Sequence, residues 1–384
     1  MKQIVCLSTS VWEGHFTNKQ QIMSRMVGCE ILYFDPAITF VAPLKDKSAK
    51  PRMKMYKAAG KKVQDNITVY ATPPVLPMYN KKRWINKLNQ KRLAKFIRKK
   101  MREHGFENPV LWVYHPSFAD IVGHIPHSAL VYHCVDKHSG YPGLIDPALV
   151  DKMESDLAKK ADAVFATSQG LVDTLKTSNP DAFLLPTGVN YELFSRVDDP
   201  GLPIPSDMLG ITKPVFGFVG VMQQCNDFAL AAEVARRRPD WSFVFIGYPL
   251  PSVDISMLYN LPNVHMLGAK PQREVVCYLA TFDVCLHLYK NEELSKHVSS
   301  MKFYEYLATG RAIVTTMLPQ QVHDYADVIF IGDGADEFEK ICEAAISDNT
   351  PERIAARRER AKLCSWEARI AEIREKLAKL DILQ

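Results

Sequence analysis

The chain has 384 residues, of which 47% are hydrophobic and 24% charged, with a net charge of +5. At ~100–200 residues per domain this length predicts two domains, each able to bury its own core. The balance excludes a disordered or fibrous chain, and no apolar run reaches the ~18 residues of a membrane-spanning helix. The opening run at 4–7 is too short for a secretory signal, so a cytoplasmic location is expected. Eight cysteines form no CxxC pair and no metal-spaced cluster with histidine. They read as buried free thiols of a reducing compartment, with no metal site.

Short apolar runs at 4–7, 31–34, 67–71, 110–114, 129–134, 163–166 and 182–185 predict strands. Helical patterns lie between most of them, beginning near 18 and covering 86–103 and 147–160. A proline- and glycine-punctuated stretch at 198–213 reads as a linker. The alternation then restarts, with strands at 215–219, 242–246, 264–267, 284–288, 312–315 and 328–331. Helices are expected at 227–238, 271–281, 300–309 and along a tail at 351–379. This predicts an α/β protein of two Rossmann-like domains, 1–197 and 214–355, with parallel sheets facing a cleft. In such sheets ligands bind outside the carboxyl ends of the strands, so the loops there are the places to search.

One such loop leads into the helix predicted near Ser299. The unpaired N–H groups of its first turn favour an anion, and Ser299 or Ser300 can cap it. Lys302 adds positive charge, and Glu305 shares its face at i,i+3. A surface ion pair is the plainer reading of those two residues. Gly310 stops the helix.

Other candidates lie in the first domain. Asp136 follows the strand at 129–134, where a carboxylate can act as a general base or merely cap a turn. His138 follows it, and His115 ends another strand. After the first strand, Trp12 could stack on a sugar or be buried, and His15 could touch a substrate. The stretch 81–102 holds eleven Lys or Arg and no acidic residue. Its basic residues, Arg92 and Lys95 among them, interleave with Trp84, Ile85, Leu88, Phe96 and Met101. That pattern reads as a helix lying on a membrane surface, or as one packed on the first sheet. No recognition motif supports nucleic-acid binding.

Several stretches carry a family resemblance. The run SMKFYEYLATGRAIVTT, with LGAKPQREVVCYLATFDVCLHLYKNEE upstream, resembles the nucleotide-sugar segment of GT-B glycosyltransferases. ADAVFATSQGLVDTL and LLPTGVNYELF resemble stretches of their first domain. The likeness is greatest to teichuronic-acid-type transferases and the xanthan glucuronosyltransferase. It implies a glycosyltransferase moving a sugar from a nucleoside diphosphate, UDP favoured, to a lipid-linked or glycan acceptor in polysaccharide synthesis. No cofactor or metal is implied. The protein would sit peripherally on the cytoplasmic face of the membrane.

The same resemblance implies that Glu305 binds the donor ribose. It also implies that Ser299, Ser300, Met301 and Lys302 hold the diphosphate, that Tyr289 borders the site, and that Gly220 lets a loop approach the phosphates. It gives the catalytic base at Asp136, hence inversion, and a C-terminal helix at 356–384 crossing back to the first domain. Many retaining relatives carry a Glu-x7-Glu motif whose first position is His297 here. A sugar-nucleotide epimerase and a non-catalytic nucleotide-sugar-binding module are the rival readings. No GxGxxG follows the first strand to suggest a dehydrogenase.

Overall fold

The computed structural model describes residues 1–384 except 15, 46–48, 141, 142, 144 and 384. The chain divides into two units: Met1–Pro186 with Ile370–Gln384, and Thr187–Arg369.

The first unit holds eight strands: β1 (Lys2–Leu7), β2 (Cys29–Phe34), β3 (Lys61–Gln64), β4 (Ile67–Tyr70), β5 (Val110–Val113), β6 (Ala129–Cys134), β7 (Ala163–Ala166) and β8 (Ala182–Leu184). They form one sheet in the order β3-β4-β2-β1-β5-β6-β7-β8, and every pairing except β3 with β4 is parallel. β1, β5, β6 and β7 are apolar through most of their length because helices cover both faces of a parallel sheet. The helices used below are α1 (Asn18–Met23), α2 (Ala42–Lys45), α3 (Ala49–Met55), α4 (Arg83–Glu103) and α5 (Pro147–Ala158). β3 was not expected, since Lys61–Gln64 is an exposed, polar edge strand without apolar alternation.

The second unit repeats the architecture with β9 (Val215–Val219), β10 (Ser242–Ile246), β11 (Val264–Gly268), β12 (Val284–His287), β13 (Ala312–Thr315) and β14 (Phe330–Ile331). The order β11-β10-β9-β12-β13-β14 is wholly parallel. Numbered within the unit this is 3-2-1-4-5-6, the doubly wound order whose direction reverses beside its first strand. The first sheet reverses likewise beside β1. Two clusters of buried apolar residues pack the second unit, one containing Phe303 and Leu307, the other Phe228 and Trp241.

Two expectations need correction. The stretch 198–213 is not a spacer, because the division falls after Pro186. Phe194, Val197 and Met208 are buried in the second unit's core, which draws the segment into that unit. The helical tail is two helices, Pro351–Lys362 and Trp366–Lys379. The Ser365 hydroxyl accepts from Ala368 N–H at 3.2 Å and restarts the helix. Residues from Ile370 belong to the first unit, where Arg374 donates to the Val27 carbonyl.

Candidate functional site

In the second unit, the reversal point lies where β9 and β12 end. β9 runs into Gly220, whose φ of +156° suits glycine. A Cβ there would stand 3.9 Å from Lys302 Cγ. A Cβ on Gly247, in the loop after β10, would meet the Gly220 carbonyl oxygen at 1.8 Å, so two loop backbones touch directly. β12 runs into Tyr289, whose N–H donates to Thr316 Oγ1 at 2.8 Å, while Asn226 Nδ2 donates to the preceding Leu288 carbonyl at 3.0 Å. These contacts bring the strand ends alongside the helix Met301–Thr309.

That helix ends at Gly310 in the left-handed conformation, as its sequence predicts. Ser300 holds the N-cap position, and among the described residues no side chain caps the helix. Ser299 is not a cap either. Its hydroxyl takes the Thr187 N–H at 3.3 Å and the Gln321 amide at 3.2 Å. The first-turn N–H groups are therefore left without side-chain acceptors at the end where the helix dipole favours an anion. Lys302 Nζ reaches Glu305 Oε2 at 2.6 Å, with Glu305 only 2% exposed. A carboxylate so buried holds acceptor capacity beyond one ammonium contact, so the pair is not the solvated ion pair of the plainer reading. His297 closes the preceding four-residue helix, with Nε2 3.3 Å from Glu293 Oε1.

In the first unit, a second set of polar groups gathers at the ends of β5 and β6. Thr17 starts α1 through a capping box, its N–H donating to Gln20 Oε1 at 3.0 Å. Lys19 on that helix is only 8% exposed, and its ammonium lies 5.9 Å from the Tyr114 ring centroid. Burial lowers its pKa, and the charge of Asp136 opposes that shift. Asp136 is half-buried, and its carbonyl accepts from Cys134 Sγ at 3.4 Å.

His115 and His138 stand with ring centroids 4.7 Å apart. Burial, then the Lys19 charge, pushes His115 down to about 4. Burial chiefly, then His115 and Lys19, holds His138 well below the usual imidazole range. Both are neutral at pH 7. His115 Nδ1 accepts the Ser117 N–H at 3.1 Å, which assigns its proton to Nε2. His138 is bonded to the Tyr114 backbone, an interaction that favours its protonated form and so makes the ring the donor. Its Nε2 is buried with no partner among the described residues, leaving a lone pair that can accept from a hydroxyl.

Sequence reasoning named Asp136, His138 and His115 but missed Lys19, because an isolated lysine in a six-residue helix looks like any solvated one. His15 lies outside the described residues. Trp12 is corrected: it is 6% exposed, with its ring edge-on to Phe16 at 5.5 Å and Tyr33 at 4.9 Å, so no sugar can stack on it.

The basic stretch forms α4, whose inner face is Asn86, Asn89, Gln90, Leu93, Ala94, Ile97 and Met101. Met101 therefore packs inward rather than joining an outer apolar stripe. Trp84 remains 66% exposed and Leu88 43%. Lys87, Lys91, Arg92, Lys95, Arg98 and Lys99 are exposed on the same helix. Arg92 stands 5.7 Å from the ring of Phe40, which precedes α2, so exposed Phe40, Val41 and Leu44 adjoin this surface.

Under α4 lies a cavity of about 200 Å³ bordered by the ends of β1, β2 and β5. Burial raises Asp35 on its wall to about 6, against the Trp12 N–H that its Oδ1 accepts at 2.8 Å. Among the described residues no helix is long and apolar enough to cross a membrane.

Residues 213–348 match the family described as Glycosyl transferases group 1. The chain is 28% identical over 281 residues to TuaH of Bacillus subtilis strain 168, a protein named for teichuronic acid biosynthesis and glycosyl transfer, covering 68% of this chain and 69% of that one. Among solved structures, sucrose-phosphate synthase from Thermosynechococcus elongatus superposes with a TM-score of 0.73 at 12% identity, over 99% of each chain. HepE of Anabaena in complex with UDP gives 0.68 at 15% identity, over 99% of this chain and 100% of that one. These likenesses establish the GT-B fold.

Proposed function

We propose, from the premise that this chain is a glycosyltransferase with a group 1 domain at 213–348, that it transfers a sugar from a UDP-sugar to a lipid-linked or glycan acceptor in surface polysaccharide synthesis. The observation that carries the reading is the uncapped helix start at Met301, set beside Lys302 and the buried Glu305 at the second sheet's reversal point. Two relatives support it: Anabaena HepE forms a complex with UDP, and TuaH is named for teichuronic acid biosynthesis.

The donor diphosphate occupies the helix N-terminus, with Lys302 turning from Glu305 towards it and Glu305 accepting from the ribose hydroxyls. Gly220 leaves room for the phosphates, and Tyr289 orders the border of the site. The acceptor oxygen attacks the anomeric carbon as the bond to the diphosphate oxygen breaks. Asp136 takes the acceptor proton, and His138 Nε2 accepts a hydrogen bond from the same substrate. A single displacement inverts the anomeric centre. Charge on the departing diphosphate is stabilised by Lys302 and backbone N–H groups rather than by a metal. The exposed cations of α4, with Trp84 and Leu88, rest on the anionic cytoplasmic face of a membrane.

The test is calorimetric titration with UDP, GDP, ADP and dTDP of the protein and of Glu305→Ala. Selective UDP binding that weakens at least about tenfold in the variant supports the donor site, since a hydrogen bond to a charged group contributes about 1.5–3 kcal/mol. Binding of no nucleotide, or equal binding by the variant, overturns it.

A further inference from the structure

We propose that a second cavity of the first unit, between α4, the segment 119–124 and Lys160, binds a doubly charged phosphate group carried by a membrane lipid. The inference deepens the membrane reading given to α4 above and rests on it for the lipid, whereas the pocket itself is read from the first unit alone.

The cavity measures about 420 Å³ and is lined by Arg83, Lys87 and Lys91 of α4, by Asp120 and His124, and by Lys160 just beyond α5. It shares no lining residue with the cavity at the ends of β1, β2 and β5, so its occupant is an anchor and not the reacting sugar. Arg83, Lys87 and Lys91 follow one another at i,i+4 along a single line of the helix. Like charges at that spacing weaken a helix unless an opposite charge lies among them.

The protein's own carboxylates do not supply it. Asp120 is the one acid among the described lining residues, and it is already committed. Its Oδ1 accepts from Arg83 Nε at 3.2 Å and Nη2 at 3.0 Å, and its Oδ2 accepts from Asn86 Nδ2 at 2.8 Å. Arg83 turns Nη1 to Asp156, so the guanidinium is neutralised and held as part of the wall. Lys87, Lys91 and Lys160 meet no carboxylate among the described residues. Lys160 instead places its ammonium 3.4 Å from the Ala119 carbonyl, at the edge of the cavity.

Three uncompensated ammonium groups exceed the single charge of a carboxylate or a phosphodiester. A phosphomonoester carries about −1.5 to −2 at pH 7 and three strong acceptor oxygens, which matches them. His124 brings a ring N–H as a further donor in either tautomer. Trp84 and Leu88 adjoin the lining positions and stay 66% and 43% exposed. On the helix surface 84, 87, 88 and 91 are neighbours. An exposed indole and an isobutyl group beside a cationic cavity suit the glycerol and acyl part of a lipid, which a free phosphate lacks.

The experiment is flotation of the full chain with phosphatidylcholine vesicles containing either phosphatidic acid or phosphatidylglycerol, matched in surface potential. Phosphatidic acid should be bound at least about tenfold more tightly, the scale of one or two charge-assisted hydrogen bonds. Lys160→Gln, which lies off α4, should erase that preference. Lys159→Gln removes the same charge one residue away, outside the cavity, and should leave the preference intact. Binding to phosphatidylglycerol should fall no further in the first variant than in the second. Inorganic pyrophosphate is titrated in parallel, with UDP present to fill the donor site. Equal binding to the two anionic vesicles, or a preference that survives Lys160→Gln, would overturn the pocket and leave the membrane reading of α4 standing. Binding to neither would sink that membrane reading and the lipid with it. Pyrophosphate binding that Lys160→Gln removes, without a preference between vesicles, would assign the cavity to a free phosphate and overturn the lipid.

Discussion

The two sheets reverse beside their first strands in the same way, yet they fill those points with different chemistry. In the second unit the candidate donor site gathers one helix start and one i,i+3 pair: backbone N–H groups, Lys302 and Glu305. In the first unit Lys19, His115, Asp136 and His138 converge from α1 and from the loops after β5 and β6. The difference teaches that binding an anion is largely a backbone property that a single helix provides. Proton transfer needs side chains whose protonation is set by burial and by each other, and these must be gathered from distant segments.

The most severe test of that contrast is Asp136→Asn. Transfer to membrane acceptors should fall about 10²–10⁴-fold, the usual contribution of a general base, with UDP affinity intact. Retained turnover would remove Asp136 from the role and leave the first unit's cluster without a base. Next comes the joint reversal of Lys91, Arg92 and Lys95 to glutamate. At about 1 kcal/mol per lost cation, binding to anionic vesicles should drop at least about 100-fold in a flotation assay, and far less to neutral vesicles. Equal binding to both would return α4 to the role of a packing helix.

Acid should separate the units. Burial keeps His115 near about 4, His133 near about 3 and His138 low in the first unit, against His287 at about 3 and a more exposed His265 in the second. An unfolded imidazole titrates near ~6.5 and binds protons that the folded one refuses, so stability is full above that pH and is lost as pH falls towards the folded values. Each fully buried ring costs roughly 2 kcal/mol by about pH 5. Hydrogen exchange at that pH should show the sheet of the first unit opening before that of the second; the reverse order would mean that the burial of these rings relaxes.

Lys19→Met is a smaller perturbation with two readouts. The desolvated ammonium disappears while half-buried Asp136 can meet water, so the thermal midpoint should hold or rise. Transfer should nevertheless fall about tenfold or more if the charge serves the reaction. A lowered midpoint with unchanged turnover would make Lys19 purely structural. The mildest change is His133→Phe. Neither ring nitrogen of His133 has a partner among the described residues, and the ring is packed against Trp112, Tyr114 and Phe165. Removing two unmet polar atoms should add about 1 kcal/mol to stability in chemical denaturation and flatten the acid slope, whereas a loss of stability would reveal an unseen partner.

What could be read in advance follows from locality. The donor segment was legible because strand, loop, helix start, Lys302, Glu305 and Gly310 lie within about two dozen consecutive positions, and local rules govern helix starts and stops. α4 was legible as a basic amphipathic helix, but its inner face was not. Asn86, Asn89 and Gln90 are buried there, against their polarity, because distant groups supply partners: Ser117 and Asp120 for Asn86, the Leu76 backbone for Asn89, and Asn86 itself for the Gln90 amide. Trp12 misled for the opposite reason: a tryptophan in a strand-end loop looks available until Phe16 and Tyr33 are seen to enclose it.

Periodicity and punctuation along the chain therefore determined the two α/β units, their parallel sheets, and the helix end suited to an anion. These depend on neighbours in sequence, where apolar period, caps and breakers act. Only the tertiary structure decided the strand order, that 198–213 joins the second core, that Lys19 is buried where the charge of Asp136 acts on it, that two histidines are neutral with opposite tautomers, and that Gln90 is buried with an unmet amide oxygen. Each of these follows from desolvation and from partners many residues away, and neither is written in the identity of a single residue.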